Sequence, residues 1–134
     1  MPDRAEIVSA VEYYVKCLGS HDVDGLVALF APDAVQHEPL GVQTYRGIDE
    51  IREFDTANAQ VDFTVSLLGP ISVTGKYAAM QLRVQRAGIP DFAATDVFEF
   101  DENGKITRVD CYWKQPSENI DWTDATNLSA EAGA

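Results

Sequence analysis

The sequence predicts an α+β domain, in which three N-terminal helices pack on one face of a curved antiparallel sheet able to fold around a cone-like apolar pocket. Three observations lead there. Apolar residues recur at helical spacing in three stretches before residue 58, they alternate with polar ones at a period of two between residues 61 and 113, and Gly, Pro and Asp clusters cut that second half into strand-sized pieces. The 134 residues fit one domain that buries roughly two-thirds of its unfolded surface, so a second core is not expected. The domain is read as residues 1–115, followed by an acidic tail over 116–134.

Asp3 offers an N-cap to the first helix, AEIVSAVEYYVKCLG, whose Ile7, Val8, Val11, Tyr14, Val15 and Leu18 share a face and which Gly19 stops. Asp22 caps a second, DVDGLVALFA, which Pro32 ends. AVQHEP then reads as extended, because the residue before a proline is pushed away from helix, and this places Glu38 in extended chain. From Gly47, GIDEIREFDTA makes a third short helix with Ile48, Ile51 and Phe54 on one side. VDFTVSLL alternates Val61, Phe63, Val65 and Leu67, the GP pair at 69 and 70 makes a break, and KYAAMQLRVQ alternates Ala78, Met80, Leu82 and Val84. After AGIP at 87–90, DFAATDVFEF and KITRVDCYWK form a hairpin about DENG at 101–104, the second strand aligning Val109, Cys111 and Trp113. From Pro116 the periodicity fades, and Trp122 and Leu128 are side chains that can dock on the body or on a second subunit.

Composition narrows the function classes. A net charge of −12, from 22 acidic residues against 10 basic ones, repels phosphate backbones and anionic membrane surfaces, so neither nucleic acid nor membrane is an expected partner. It also favours an uncharged substrate, although a role in solubility alone accounts for the charge equally well. The longest apolar run, LVALFA at 26–31, is far too short to span a bilayer, and MPDRAEI lacks the apolar core and cleavage pattern of a secretion signal, so the cytoplasm is the expected location. Cys17 and Cys111 are too few for a disulfide framework and read as small buried hydrophobes. His21 reads as a loop residue, and two histidines without HExxH, CxxC or calcium-loop spacing do not make a metal site. There is no GxGxxG, P-loop or GxSxG motif, and no histidine is clearly placed to activate a cysteine. No metal or other cofactor is therefore expected, and what remains is acid-base chemistry by carboxylates and phenols.

Within DFAATDVFEF, a strand would place Phe92, Ala94, Asp96, Phe98 and Phe100 on one face, apolar except for Asp96. A lone carboxylate among aromatic rings is costly to desolvate, so its neutral form is favoured and can donate a hydrogen bond. The same pattern equally fits a structural Asp satisfied by backbone amides or by an arginine such as Arg83. Tyr14 sits within the apolar face of the first helix, where its hydroxyl needs a partner, although by itself it fits a plain core aromatic. Glu38, beside a proline between helix and sheet, is available as a base if it lines the same cavity; by itself it reads as a solvated loop residue.

Taken together, these positions match a family. EYYVKCLGSHDVDGLVALFAPDAVQHEPLG, RGIDEIREF and DVFEFDENGKITRVDCYW resemble, in order and nearly in spacing, the steroid delta-isomerases (ketosteroid isomerases) of the nuclear transport factor 2-like superfamily, a likeness that covers roughly Ile7 to Trp113. The resemblance implies that Tyr14 and Asp96 form an oxyanion hole and that Glu38 shuttles the proton, a use of a neutral carboxylic acid for which this family is the standing example. It further implies a pocket for a steroid-like substrate lined by Phe54, Phe63, Met80, Leu82, Phe98 and Trp113, no cofactor, and a homodimer through the outer face of the sheet. Three positions depart from the best-known members: Glu38 stands where they carry Asp, and Phe30 and Asp55 stand where some carry tyrosines that support the catalytic one. The superfamily also holds epoxide hydrolases, polyketide cyclases and non-catalytic ligand binders, so a sterol or polyketide binder is the alternative reading.

Overall fold

Asp3 starts the first helix as its side chain suggests, accepting a hydrogen bond from the Glu6 amide at 2.8 Å. The computed structural model describes residues 1–113, so the acidic tail, with Trp122 and Leu128, lies outside the described residues. Helix α1 spans Arg4–Ser20 and turns Ile7, Val11, Tyr14 and Cys17 into the core. It ends one step later than Gly19 predicts, on His21, which takes the left-handed conformation at φ 58° and returns its amide to the last turn. Asp22 then caps α2, Val23–Val27, through the Gly25 amide at 2.9 Å.

The second helix is shorter than its sequence predicts. LFA does not continue it: Phe30 opens strand β1, Phe30–His37, because Phe30, Ala31 and Ala34 are buried within the sheet layer and the Phe30 ring packs 6.4 Å from that of Tyr14. Pro32 sits inside this strand rather than before it. It is tolerated there because the β1 ladder shifts register between Phe30 and Val35, where a missing backbone N–H breaks no pairing. Strand β2, Thr44–Arg46, returns alongside β1, and helix α3, Gly47–Asn58, follows directly. The remaining strands are β3 (Phe63–Leu67), β4 (Ser72–Thr74), β5 (Tyr77–Arg86), β6 (Phe92–Phe100) and β7 (Ile106–Trp113).

The sheet runs in the order β2-β1-β7-β6-β5-β3, with β4 added on β5. It is mixed, a correction to the expected antiparallel sheet: β1 lies parallel to β7. The cause is topological. β1 leaves the helical half before α3 and enters the sheet between β2 and the last strand of the described chain. The β6–β7 hairpin turns on DENG as predicted, with Asp101 Oδ1 accepting from the Asn103 and Lys105 amides and Gly104 at φ 77° supplying the left-handed step. Inward residues of β5, β6 and β7, among them Ala78, Leu82, Phe98, Phe100, Ile106 and Val109, meet Ile7 and Val11 of α1 to make one core, and the sheet stays open beyond it.

Candidate active site

The strand register sets three chemically distinct side chains in one row. On β6 and β7, Asp96 is the cross-strand partner of Cys111, and on β7 and β1, Asp110 is the partner of His37, so Glu38 follows beside Cys111. The Leu40 amide bonds the Cys111 carbonyl at 2.9 Å and the Glu38 amide bonds the Gln43 carbonyl at 2.9 Å, which fixes the turn that carries Glu38 out of β1. Glu38 and Asp96 thus stand two strands apart, roughly 10 Å between backbones, with side chains on the same face and the thiol between them. Tyr14 reaches the row from α1. It is 3% exposed and packs edge-on against Phe98 at 5.1 Å between ring centroids.

Glu38 is the best-solvated carboxylate of the group, because protein donors stand in for water. Gln36 Nε2 donates to Oε2 at 2.9 Å, Trp113 Nε1 donates to Oε1 at 2.8 Å, and the Cys111 thiol also donates to Oε2. Burial pushes the Glu38 carboxyl above its ordinary range, and those three donors pull it back. Asp96 is 5% exposed and receives less: burial, then the charge of Glu38, lift it to about 7 against the pull of the Cys111 thiol. No cation figures among those influences, and Arg83 is engaged with Asp91 through Nη2 at 2.6 Å and Nε at 3.1 Å. Burial and the charge of Asp96 likewise hold the Tyr14 phenol well above its ordinary value. Below about 7 Asp96 keeps its proton, as does the Tyr14 phenol, while the three donors to Glu38 favour its charged form, so the row sets a base against two proton donors.

A cavity of about 430 Å³ opens over this row, within the size range of small-molecule sites. Tyr14, Glu38 and Asp96 all line it, as do Phe54, Phe63, Leu82 and Trp113. Met80 and Phe98 do not. Both are 3% exposed or less and stand one layer back, Met80 as the cross-strand neighbour of Asp96 and Phe98 as the support of the Tyr14 ring. The wall gains Val65, Val84 and Phe92, which share the inward phase of Phe63, Leu82 and Ala94 and are legible from it.

One further carboxyl lines the cavity and was not among the site residues expected from sequence. Asp55 is 5% exposed on α3, and burial together with the charge of Glu38 raises it to about 7, against a small opposing pull from Arg52. The signal was present: Ile48, Ile51 and Asp55 are spaced i, i+3 and i+7, so Asp55 interrupts an inward stripe on a helix as Asp96 interrupts one on a strand. Gln36, 1% exposed, shares the buried phase of Ala34 on β1, but a polar side chain between Val35 and His37 reads from sequence as outward-facing.

Comparison with known proteins agrees with this architecture. The SnoaL-like domain family matches residues 11–109. A steroid Delta-isomerase of Nocardioides simplex is 34% identical over 112 residues, covering 81% of this chain and 90% of the relative. A solved structure of SalBIII, an epoxide hydrolase/cyclase-like enzyme with a role in pyran ring formation in the polyether salinomycin, is similar with a TM-score of 0.77 at 26% identity, covering 86% of this chain and 95% of that one. Matched across most of its length in sequence and in structure, the chain belongs to the SnoaL-like family and has its nuclear transport factor 2-like fold.

Proposed function

We propose that this protein is a steroid delta-isomerase that converts 3-oxo-delta-5-steroids to 3-oxo-delta-4-steroids. The observation that carries the reading is the single row Glu38, Cys111, Asp96 under Tyr14: a carboxyl whose charged form three donors favour, next to a buried carboxyl that keeps its proton below about 7 and a phenol that keeps its own. With the steroid ketone at Tyr14 and Asp96, Glu38 takes the proton from the carbon between ketone and double bond. The electron pair moves through the conjugated system to the oxygen, giving a dienolate held by the two donors. Glu38 returns the same proton at the far end of the former double bond, and the conjugated enone leaves. Atoms and charge balance with no cofactor: one proton moves and one double bond shifts.

Each oxyanion donor contributes about 3 kcal/mol in such sites, and a placed base roughly 10²- to 10⁴-fold. The apolar walls from Phe54, Phe63 and Leu82 suit a hydrophobic substrate of steroid type. The exposed Tyr77 and Tyr112, 49% and 50% accessible on the outer face of the sheet, suit a homodimer. The test is the ultraviolet absorbance of the conjugated enone formed from 5-androstene-3,17-dione by wild type, Glu38→Gln and Asp96→Leu. Conversion by wild type that collapses in both variants supports the proposal. A folded wild type that binds the steroid without converting it refutes it in favour of a binding module.

One observation favours a second reading. Asp55 adds a proton-bearing carboxyl next to Glu38 that the isomerisation does not require, and an acid facing a base is what opening an epoxide by a neighbouring hydroxyl needs. Conversion of an epoxy alcohol to a cyclic ether by wild type, lost in Asp55→Asn, would select this reading.

A further inference from the structure

Behind the main cavity lies a second, small one of about 10 Å³, close to the room one water molecule occupies. It is lined by the ends of α1 and α3, by α2 and by Phe63 of β3, and Asp55, Asn58, Leu18 and Phe63 line both it and the main cavity. Two buried polar atoms belong to residues on its wall. Asp55 Oδ2 and His21 Nδ1 are each sealed from solvent and have no hydrogen-bond partner among the described residues. A buried polar atom left unpaired costs about 1–3 kcal/mol, and two of them around one water-sized space is not a chance economy of packing. Neither residue is loosely held. His21 is the left-handed cap of α1, its ring edge-on to Phe63 at 4.8 Å, and Asp55 stands on the inward stripe of α3.

We propose that this side cavity binds one water that bridges Asp55 Oδ2 and His21 Nδ1, with the Asn58 amide as a third partner, and that His21 is thereby a positioning residue for Asp55. The water satisfies both orphaned atoms and has the two to four polar partners an internal water requires. It ties one oxygen of Asp55 to the side cavity, so the rest of the carboxyl is presented to the main cavity in one orientation. His21, outside the row of reacting groups, then acts on the site only through that water. The functional half rests on the reading of the main cavity as an acid-base site, whereas the water site itself does not.

Both halves are tested without substrate, so their failure is separate from failure of the isomerase reading. The chain has two histidines, and His37, whose Nδ1 meets Thr44 Oγ1 at 3.0 Å, serves as an internal reference in side-chain nitrogen-15 NMR. The expected result is magnetisation transfer from a long-lived water to the His21 ring in wild type. That transfer persists in Asp55→Asn, which keeps a polar atom at the bridge, and is lost in Asp55→Leu, with His37 unmoved in both. Absence of a bound-water signal at His21 in wild type, or its survival in a folded Asp55→Leu, overturns the site. The positioning role is read from the infrared carbonyl stretch of protonated Asp55 at pH 6, identified by its loss in Asp55→Asn. His21→Phe, which keeps a ring against Phe63, shifts that band if the bridge orients the carboxyl; an unshifted band overturns the role.

Discussion

Trp113→Phe separates the chemistry of Glu38 from the shape of its pocket. The substitution keeps an aromatic ring on the cavity wall and removes the indole N–H that donates to Glu38 Oε1 at 2.8 Å. A hydrogen bond to a charged group is worth about 1.5–3 kcal/mol. Because Trp113 is 51% accessible, water competes for the freed oxygen and the lower end applies, about 1.5 kcal/mol. One pKa unit corresponds to 1.36 kcal/mol, so the Glu38 carboxyl rises by about one unit above its already raised position. The sign is fixed by which form the donor favours: it stabilises the carboxylate, so its loss favours the proton and idles the base at low pH. In kcat/KM for steroid isomerisation measured against pH, the acid limb, which reports the free enzyme's base, moves about one unit to higher pH in the variant. The plateau above it changes little. An acid limb that stays where it is in wild type would refute the assignment of Glu38 as the base held by these donors.

Further predictions concern the two raised aspartates. Asp96→Leu lowers kcat by about 10²- to 10³-fold as an oxyanion donor is lost, whereas Asp96→Asn keeps a donor and loses less. Because Asp96 ionises at about 7, wild-type activity falls as pH climbs past that value, and Asp96→Asn abolishes this fall in the pH–rate profile. Stability carries the same signature: Asp55 and Asp96 each bind a proton more tightly folded, at about 7, than at their ordinary value of 3.8, so the folded state gains protons between those limits. Stability therefore declines as pH rises from about 4 to about 7, and Tm measured across that window falls in wild type and falls less in Asp55→Asn.

Much of this was legible because burial writes itself into periodicity. Asp96 stands out since every neighbour two residues away on its strand is apolar, and the structure buries Ala94, Phe98 and Phe100 with it. The caps at Asp3 and Asp22 were equally readable, since a carboxylate just before an apolar-periodic run has a backbone amide to accept from. The misreadings lie where tertiary contacts outvote local pattern. LVALFA has the spacing of a helix, yet Phe30 is worth more in the sheet beside Tyr14 than in another helical turn. The parallel β1–β7 pair has no local signature, because the partners are about 75 residues apart and nothing in either strand encodes direction. Glu38 is readable as an extended carboxyl beside a proline and takes its role as base from the resemblance, but its three donors come from β1 and β7, and only the register of those strands brings them to one atom pair. Met80 and Phe98 were placed on the pocket wall because they share its phase; distance from the mouth, which periodicity does not record, puts them behind it.

The charge of the cavity also constrains how an intermediate is held. When Glu38 takes the substrate proton, the negative charge leaves Glu38 and reappears on the dienolate oxygen, so the cavity total is unchanged and Asp96 and Asp55 have no cause to release their protons. A ligand that already carries the oxyanion, such as a phenolic steroid bound as its phenolate, meets a different cavity in the resting enzyme, where Glu38 is still charged. The backbones of Glu38 and Asp96 are two strands, about 10 Å, apart, an upper bound on the separation of their charges, since the Cys111 thiol meets both carboxyls. At an effective dielectric constant near 20, two like charges at that distance repel by about 1.7 kcal/mol, somewhat more than a tenfold change in affinity. Glu38→Gln removes the resting charge and keeps the shape, so the phenolate should bind this catalytically impaired variant roughly tenfold more tightly than wild type, and a neutral steroid ketone should bind both alike. Fluorescence titration of the phenolic ligand measures both affinities. Equal binding of the phenolate to the two proteins would mean that its oxygen does not lie at Tyr14 and Asp96, where the charge of Glu38 is felt.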